Sequence, residues 1–397
     1  PRVMRDELDR QAMATLSGGH LAVDFASGAV PALLPFLTLK FGLSYTATAA
    51  LMLAVLVSSS LVQPIFGLWS DRRGAMWLLP GGVAVAGAGT GLAAAAPSYA
   101  LVIALVFVAG IGIAAYHPEG AKFAAYASGR KRASGMSYFN IGGNTGFALG
   151  PIVVTPLVLW LGLEGGLLAM VPVLVVAALL VKALPSLRRL VPEATVRRAG
   201  RGEDDVRAMS LLAVVIALRS VAWFGLLTFV PLWVVANGGT EGEGNRTLSL
   251  MLLAGAVGTL VLGPAADRLG LRRTLLLTQA ALPILIVVFV TTGGVVGTLA
   301  LMLVGLCVVG TFGITIVLSQ LYLPRHVGMA SGLAVGLAMG LGGIAAVALG
   351  AVADAVDLET ALLVGAAAPA LGCFVCLLLP RPVIWAPPPE PAPAVIV

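Results

Sequence analysis

The stretch GLWSDRRGAMW, residues 67–77, recurs in altered form as GPAADRLGLRR, residues 263–273. Both copies contain the pattern G-x-x-x-D-R-x-G, and they lie 196 residues apart. A second pair, ASGMS at residues 133–137 and ASGLA at residues 330–334, lies 197 residues apart. Two independent pairs at nearly the same offset indicate that the chain consists of two duplicated halves in parallel register.

Long apolar runs surround both copies of this repeat. The chain of 397 residues is 59% hydrophobic and 11% charged, whereas soluble domains carry about 25% charged residues. Runs of about 20 apolar residues are long enough to cross a bilayer as helices and too long for barrel strands. Twelve such runs are present, at residues 16–39, 46–69, 76–95, 99–125, 132–161, 164–184, 209–236, 247–265, 273–292, 296–322, 329–353 and 360–380. The sequence therefore predicts an all-α membrane protein with twelve transmembrane helices.

The positive charges lie almost entirely on one side of these helices. With the N-terminus placed inside, 21 of the 24 Lys and Arg residues fall in inner segments. Only Lys40 and Arg246 fall in outer segments, and Arg219 lies within a helix. Since cytoplasmic loops carry such an excess, we predict an integral protein of the bacterial inner membrane with both termini in the cytoplasm. The net charge of +6 then reflects topology and lipid contact and not nucleic-acid binding.

The longest inner loop divides the helices into two groups of six. We predict an N-terminal bundle at residues 1–184, a cytoplasmic linker at 185–208 and a C-terminal bundle at 209–384. The Pro-rich segment 385–397 is predicted to be a disordered tail. The two bundles should be pseudo-symmetric, because the repeated segments fall at matching places in them.

The repeated loops and the twelve helices resemble the major facilitator superfamily, in which this loop joins the second and third helices of each half. The resemblance implies that the loop glycines permit a tight turn and that the Asp binds a neighbouring helix end and Arg to close the cytoplasmic side. The residues that match this gating motif are Gly67, Asp71, Arg72, Gly74, Gly263, Asp267, Arg268, Gly270, Arg272 and Arg273. In the first copy, Met76 and Trp77 stand in place of the two final arginines, which weakens the first latch.

Few ionisable residues interrupt the predicted helices. An ionised side chain at a helix centre costs about 2.5–3.5 kcal/mol on insertion scales, so such residues usually face a water-filled cavity or one another. His20 and Asp24 lie one turn apart and share a face of helix 1. At about 1.5 Å per residue, Asp24, His117 of helix 4 and Arg219 of helix 7 fall in one layer of the membrane. The resemblance implies that helices 1, 4, 7 and 10 line the central cavity.

The chemistry of these residues indicates which role each could take. We expect Asp24, assisted by His117, to carry the coupling proton, with Glu119 as the second candidate. Arg219 keeps its charge, so we expect it to bind an anion. The other candidates for substrate binding are His20, Asn140, Asn144 and Gln320. Helix packing explains the two asparagines and the glutamine equally well, and a structural pairing of Asp24 with Arg219 or His117 is the alternative to proton coupling.

Helix 5 contains a G-x-x-x-G-P element formed by Gly146, Gly150 and Pro151. Small residues at this spacing allow close helix packing. In the superfamily, the same element at this place is associated with antiporters, so the resemblance favours efflux. The segments GHLAVDFASGAVPALLPFL in helix 1 and YHPEGAKFAA in helix 4 look like the fosmidomycin-resistance branch of the superfamily, which is taken to export a phosphonate antibiotic.

The predicted function is therefore proton-coupled export of a small anionic compound, such as a phosphonate-type drug. A symporter that imports a nutrient with protons is the alternative. An enzyme is not expected, because the sequence lacks H-E-x-x-H and G-x-S-x-G. The expected partners are a small-molecule substrate, protons and membrane lipid, without nucleic acid, and the expected state is a monomer. No cofactor or metal is expected, since Cys373 and Cys376 have no neighbouring His or Cys and suit apolar packing.

Overall fold

The computed structural model describes residues 8–73, 75–129, 132–191 and 203–382. Within these ranges, the side chains not described are those of residues 71–73, 132–134, 327, 328, 331 and 337. Gly74 and the side chains of Asp71 and Arg72 therefore lie outside the described residues. So do the middle of the predicted linker and the whole of the predicted tail.

The described residues form thirteen α-helices and no strand. They are α1 (Arg10–Phe41), α2 (Tyr45–Arg73), α3 (Leu78–Ala95), α4 (Tyr99–Ala127), α5 (Arg132–Leu161), α6 (Met170–Arg188), α7 (Val206–Ala236), α8 (Glu241–Leu269), α9 (Leu271–Thr292), α10 (Gly294–Gly310), α11 (Phe312–Tyr322), α12 (Val327–Ala355) and α13 (Leu358–Leu378). Because α10 and α11 follow one another along a single span, the described part contains 12 helical spans that are long and apolar enough to cross a membrane. The predicted fold class is confirmed.

The two halves of the chain pack in the same way. In the first half, α1 packs on α5, α4 packs on α2 and α3, and α3 packs on α6. In the second half, α7 packs on α12, α10 packs on α8 and α9, and α9 packs on α13. The contacts between the halves, α2 with α12 and α5 with α8, are related by the same exchange. The fold is therefore two pseudo-symmetric six-helix bundles.

Two breaks interrupt spans that the sequence predicts to be continuous. The tenth span bends at Thr311, whose hydroxyl donates to the carbonyl of Cys307 at 2.7 Å. Such side-chain bonds compete with the helical ladder, and Gly310 before it weakens the helix further. The sixth span begins with a 3₁₀ turn, Leu163–Ala169, in which Gly165 donates to the carbonyl of Gly162 at 2.8 Å. The hydrophobic pattern of the sequence predicts neither irregularity.

The bundles are joined at the end distant from the linker, which we call the far end. Asp354 of α12 accepts from the backbone N–H groups of Tyr45 at 2.7 Å and Thr46 at 2.9 Å, and from the Thr46 hydroxyl at 2.6 Å. The first N–H groups of a helix lack partners within it, so this carboxylate satisfies the start of α2 and the positive end of its dipole. Asn245 of α8, which is buried, donates to the carbonyl of Ala32 at 2.9 Å.

The opposite end of the molecule, the linker end, contains a cavity. Its volume is about 740 Å³, and it is lined by side chains from residues 8–21 and 138–145, in the first halves of α1 and α5. Between the two ends, Asn144 of α5 donates to the hydroxyl of Thr259 of α8 at 3.1 Å. The described hydrogen bonds between the bundles thus run from the far end to the middle, and the cavity lies on the linker side.

Candidate functional site

Helices α1 and α4 bring together His20, Asp24 and His117, which we call the Asp24 triad. The Nε2 atom of His20 lies 3.2 Å from Oδ2 of Asp24, and Nε2 of His117 lies 3.3 Å from Oδ1. His20 and Asp24 are one turn apart, so both face α4. One carboxylate therefore stands between two imidazoles, with a separate oxygen for each.

Backbone carbonyls fix the orientation of both imidazoles. Nδ1 of His20 lies 2.8 Å from the carbonyl oxygen of Phe139, and Nδ1 of His117 lies 2.8 Å from that of Ile113. A carbonyl oxygen only accepts hydrogen bonds, so each Nδ1 must carry a hydrogen and donate it. The His20 ring also stacks on Phe139 with ring centroids 4.1 Å apart. In both residues, Nε2 is the nitrogen left to face Asp24.

Gly143 of α5 makes room for this arrangement. A Cβ atom at this position would lie 2.5 Å from Nε2 of His20 and 2.6 Å from Oδ2 of Asp24. Real Cβ atoms do not approach other heavy atoms that closely. Any side chain at position 143 would therefore displace two members of the triad.

The triad is accessible although it lies within the bundle. The side chains of Asp24 and His117 are 19% and 22% exposed. Two imidazoles and a carboxylate with donor atoms within 4.8 Å of one another also form a group that could hold a metal ion. Each Nε2 atom, however, faces a different oxygen of Asp24. This pairing suits two N–H···O hydrogen bonds.

The G-x-x-x-G-P element holds α5 tightly against α1. A Cβ on Gly146 would lie 2.0 Å from the carbonyl oxygen of Leu21, and a Cβ on Gly150 would lie 2.3 Å from the carbonyl carbon of Gly28. Pro151 follows inside α5. The element thus provides the close helix contact that places Gly143 beside the triad.

Replacing Gly146 with Ala is expected to destabilise the protein by about 1–3 kcal/mol, the usual cost of overpacking. The added methyl group would meet the backbone of Leu21, which cannot rotate away. Thermal unfolding of the purified protein, followed by tryptophan fluorescence, measures the effect. Gly336→Ala is the matched control, because nothing lies within 4 Å of its Cβ position. Equal melting midpoints for the two variants would contradict the packing role.

Glu119 lies apart from the triad, in a second cluster. Its carboxylate is fully buried, 2.8 Å from Nζ of Lys122, and contacts the hydroxyl of Ser70 at the end of α2. Lys122 also contacts the Ser70 hydroxyl. The Oε1 atom of Glu119 has no hydrogen-bond partner among the described residues. Glu119 is thus paired with a cation and turned toward α2.

Arg219 forms a third cluster, in the second bundle, which we call the Arg219 cluster. It is buried, and its guanidinium donates to the hydroxyl of Thr311 at 2.8 Å and of Thr315 at 3.5 Å. Within the described part of the chain, no carboxylate lies within ion-pair distance of Arg219. The structure does not bring Arg219 into contact with Asp24.

The Arg219 cluster and the Asp24 triad occupy equivalent places in the two bundles. Arg219 follows Asp24 by 195 residues, and Thr311 and Thr315 follow His117 by 194 and 198 residues. Helix α7 corresponds to α1, and α10 with α11 corresponds to α4. An acid between imidazoles in one half therefore matches a cation between hydroxyls in the other.

The remaining predicted binding residues lie outside both clusters. Asn140 is exposed, and Gln320 is half-buried in α11. The side chain of Asn144 binds Thr259 in the other bundle. Sequence reasoning missed Gly143, Thr311 and Thr315. The repeat offset of 196 or 197 residues, applied to His117, leads to Gly313 or Ile314, and both threonines lie within three residues of these positions.

The gating motif is described mainly in its second copy. The side chains exposed there are Asp267, Arg268 and Arg273. Gly270 has φ of +93°, which favours glycine and turns the chain from α8 into α9. Arg272 donates to the carbonyl of Leu377 at 2.7 Å. An added Cβ at Gly67 or at Gly263 would make no close contact.

Comparisons with known proteins agree with this fold. The family profile described as Major Facilitator Superfamily matches residues 16–347. The chain is 31% identical over 371 residues to the uncharacterized MFS-type transporter YfnC of Bacillus subtilis (strain 168), covering 90% of each chain. It is 28% identical over 378 residues to the fosmidomycin resistance protein of Escherichia coli (strain K12), covering 92% of each.

Among solved structures, a bacterial homologue of the human lysosomal transporter Spinster, in an inward-facing and occupied conformation, has the same fold. Its TM-score is 0.74 at 14% identity, and the match covers 95% of this chain and 98% of the homologue. The family consists of transporters, so the prediction that the protein is not an enzyme is confirmed. The chain belongs to the major facilitator superfamily and is an integral membrane transporter of small molecules.

Proposed function

We propose that the protein is a proton-coupled exporter, an antiporter that moves a small anionic compound out of the cell by alternating access. The observation that carries the proposal is the Asp24 triad, in which one accessible carboxylate is held between two imidazoles inside a membrane bundle. Ionisable groups at this depth are costly unless they pair with each other or serve transport. Here they pair with each other, and the access of Asp24 and His117 to solvent supports a role in transport.

The Arg219 cluster supports an anionic substrate. A buried guanidinium without a described carboxylate partner favours the approach of an anion, and Thr311 and Thr315 leave several of its five donors unused. Because this cluster lies in the second bundle and the triad in the first, the proposal assigns anion binding to one bundle and proton binding to the other. Exchange of a proton for an anion then couples to the relative rocking of the two bundles, separated by the linker 185–208.

Two further observations support export. The relative from Escherichia coli is named a fosmidomycin resistance protein, and removal of a drug from the cell is one route to resistance. The G-x-x-x-G-P element is present and packs on α1 beside the triad. A phosphonate is therefore the first substrate to test.

The charge distribution supports a cytoplasmic position for the linker end and both termini, in the bacterial inner membrane. In that orientation, the far end faces the outside and is closed by Asp354 and Asn245. The cavity of the first bundle then opens toward the cytoplasm, where an exporter collects its substrate. We propose that the protein works as a monomer, since each chain contains both clusters.

Uptake into inside-out vesicles tests the direction and the coupling. Vesicles that contain the protein and are acidified inside should accumulate fosmidomycin, and a protonophore should abolish the accumulation. Vesicles from cells without the protein are the control. Accumulation that requires an alkaline interior instead would favour the symporter, in which proton and substrate move in the same direction. Transport that is indifferent to pH in both directions would contradict proton coupling altogether.

Replacing Arg219 with Gln is expected to weaken binding of an anionic phosphonate by about 10- to 100-fold, because a hydrogen bond to a charged group contributes about 1.5–3 kcal/mol. The apparent affinity for fosmidomycin in vesicle uptake measures the loss. Arg246→Gln is the matched control, since Arg246 is 71% exposed and pairs with Glu243 at the far end. If a neutral ester of the same compound lost as much affinity, Arg219 would have a structural role.

A further inference from the structure

We propose that His20 is a second proton-carrying residue, equivalent to His117, so that the Asp24 triad takes up two protons in each transport cycle. The inference rests on the proposed function, which assigns the coupling proton to Asp24 and His117 alone. It concerns the number of protons and the residue that holds the second one.

The hydrogen bonds of Nδ1 determine what each Nε2 can do. Both Nδ1 atoms donate to backbone carbonyls, of Phe139 and Ile113. A neutral imidazole has a single N–H, so in the neutral form each Nε2 presents a lone pair. That lone pair would face an oxygen of ionised Asp24 at 3.2 or 3.3 Å. Two acceptors at this distance repel each other unless a hydrogen lies between them.

Each of the two contacts therefore requires its own hydrogen. The contacts use different oxygens, Oδ2 for His20 and Oδ1 for His117, so one proton cannot serve both. The proposal places these two hydrogens on Nε2 of His20 and of His117, with Asp24 ionised between the two imidazoles. When both contacts are formed, the triad contains two more protons than it would contain with Asp24 ionised and both imidazoles neutral. Loss of both protons leaves two repulsive contacts, one within α1 between His20 and Asp24 and one between Asp24 of α1 and His117 of α4.

Other titratable groups around the triad do not supply these hydrogens. Tyr116 of α4 is nearest, and its hydroxyl donates to the carbonyl of Leu16 at 2.6 Å. Glu119 and Lys122, also of α4, pair with each other. From α5, Phe139 and Gly143 lie against the triad, and neither of them ionises. From α2, α3, α6, α7 and α8, no described charged side chain forms an ion pair or hydrogen bond with the triad.

The two imidazoles differ in access, which orders the protons. The His117 side chain is 22% exposed and that of His20 is 9% exposed. His20 is also covered by the ring of Phe139. The proton at His117 is therefore the one that exchanges with solvent more readily. The proton at His20 reaches solvent through Asp24, which contacts both imidazoles.

Nitrogen NMR of histidine tests the protonation of His20 without any substrate. The chain has three histidines, so a His326→Gln variant labelled with ¹⁵N-histidine retains only the two imidazoles of the triad. His20→Asn and His117→Asn variants assign the two sets of signals. As the pH of the sample is lowered, both residues should gain a proton on Nε2 while Nδ1 stays protonated. A His20 that stays neutral at every pH of the titration, or that bears its only proton on Nε2, would overturn the inference.

Proton stoichiometry in proteoliposomes gives a second test. With the membrane potential held at zero, each coupled proton changes the fosmidomycin gradient at equilibrium about tenfold per pH unit, so two protons change it about 100-fold. We expect the steeper slope for the protein and for its His326→Gln control, and the tenfold slope for His20→Asn. A tenfold slope in the unaltered protein would overturn the second proton and leave the proposed function intact. A flat response would contradict the proposed function, and the protonation of His20 by NMR would then decide the inference.

Discussion

Replacing Asp24 with Asn is expected to abolish proton-driven transport, so that the substrate ratio across acidified inside-out vesicles falls to unity. Asn keeps the size of Asp and can still bind one of the imidazoles, but it cannot take up a proton or bear a negative charge. Without that charge, nothing within the described triad stabilises two protonated imidazoles. Exchange of labelled for unlabelled fosmidomycin, which needs no proton movement, should persist.

Glu119→Gln is the matched control for this experiment. Glu119 is also a buried carboxylate of the first bundle, but it is paired with Lys122 and turned toward α2. We expect Glu119→Gln to keep proton-driven transport and to lose stability, because Lys122 is left without its carboxylate. The reverse pattern, with transport retained in Asp24→Asn and lost in Glu119→Gln, would move the coupling role to Glu119.

Replacing Gly143 with Ala is expected to reduce proton-driven uptake by about 100-fold or more, the scale on which misplacing a functional group by 1 Å acts. The added Cβ would collide with the ends of the His20 and Asp24 side chains at 2.5 and 2.6 Å. Those ends can rotate away, whereas a backbone cannot. The protein should therefore fold while its triad is displaced. Initial uptake rates at equal protein content measure the effect.

The control for Gly143→Ala is Gly336→Ala in α12, where nothing lies within 4 Å of the Cβ position. It should transport normally. Melting curves of both variants should be close to that of the unaltered protein, which separates displacement of the triad from unfolding. Normal uptake by Gly143→Ala would show that the spacing of His20 and Asp24 is not required.

The sequence predicts the depth of a buried charge well, because residue number along a helix translates directly into distance. The twelve spans, the one-turn spacing of His20 and Asp24, and the common layer of Asp24 and His117 all follow from counting. The direction in which a side chain points around its helix depends on neighbours distant in sequence. For this reason counting could not show that Arg219 faces Thr311 and Thr315 and not Asp24.

Two other features were beyond prediction for related reasons. Glu119 contacts the hydroxyl of Ser70, which lies 49 residues away in the sequence and on another helix. The need for glycine at 143 appears only when α5 is laid against α1, because the atoms it avoids belong to His20 and Asp24. Glycine is also frequent throughout the chain, at 49 positions, so no single one stands out.

The hydrogen bonds that Asp354 accepts close the far end, so the proposed binding site is more accessible from one face of the membrane than from the other. A compound arriving from the linker side meets a protein that is already in the receptive arrangement, so its apparent dissociation constant is close to the intrinsic one. A compound arriving from the other face must wait until the hydrogen bonds to Tyr45 and Thr46 break, each worth about 1.5–3 kcal/mol because the acceptor is charged. In the proposed mechanism, such a protein binds the compound more tightly from one compartment than from the other, and net movement against a concentration gradient still requires the proton gradient.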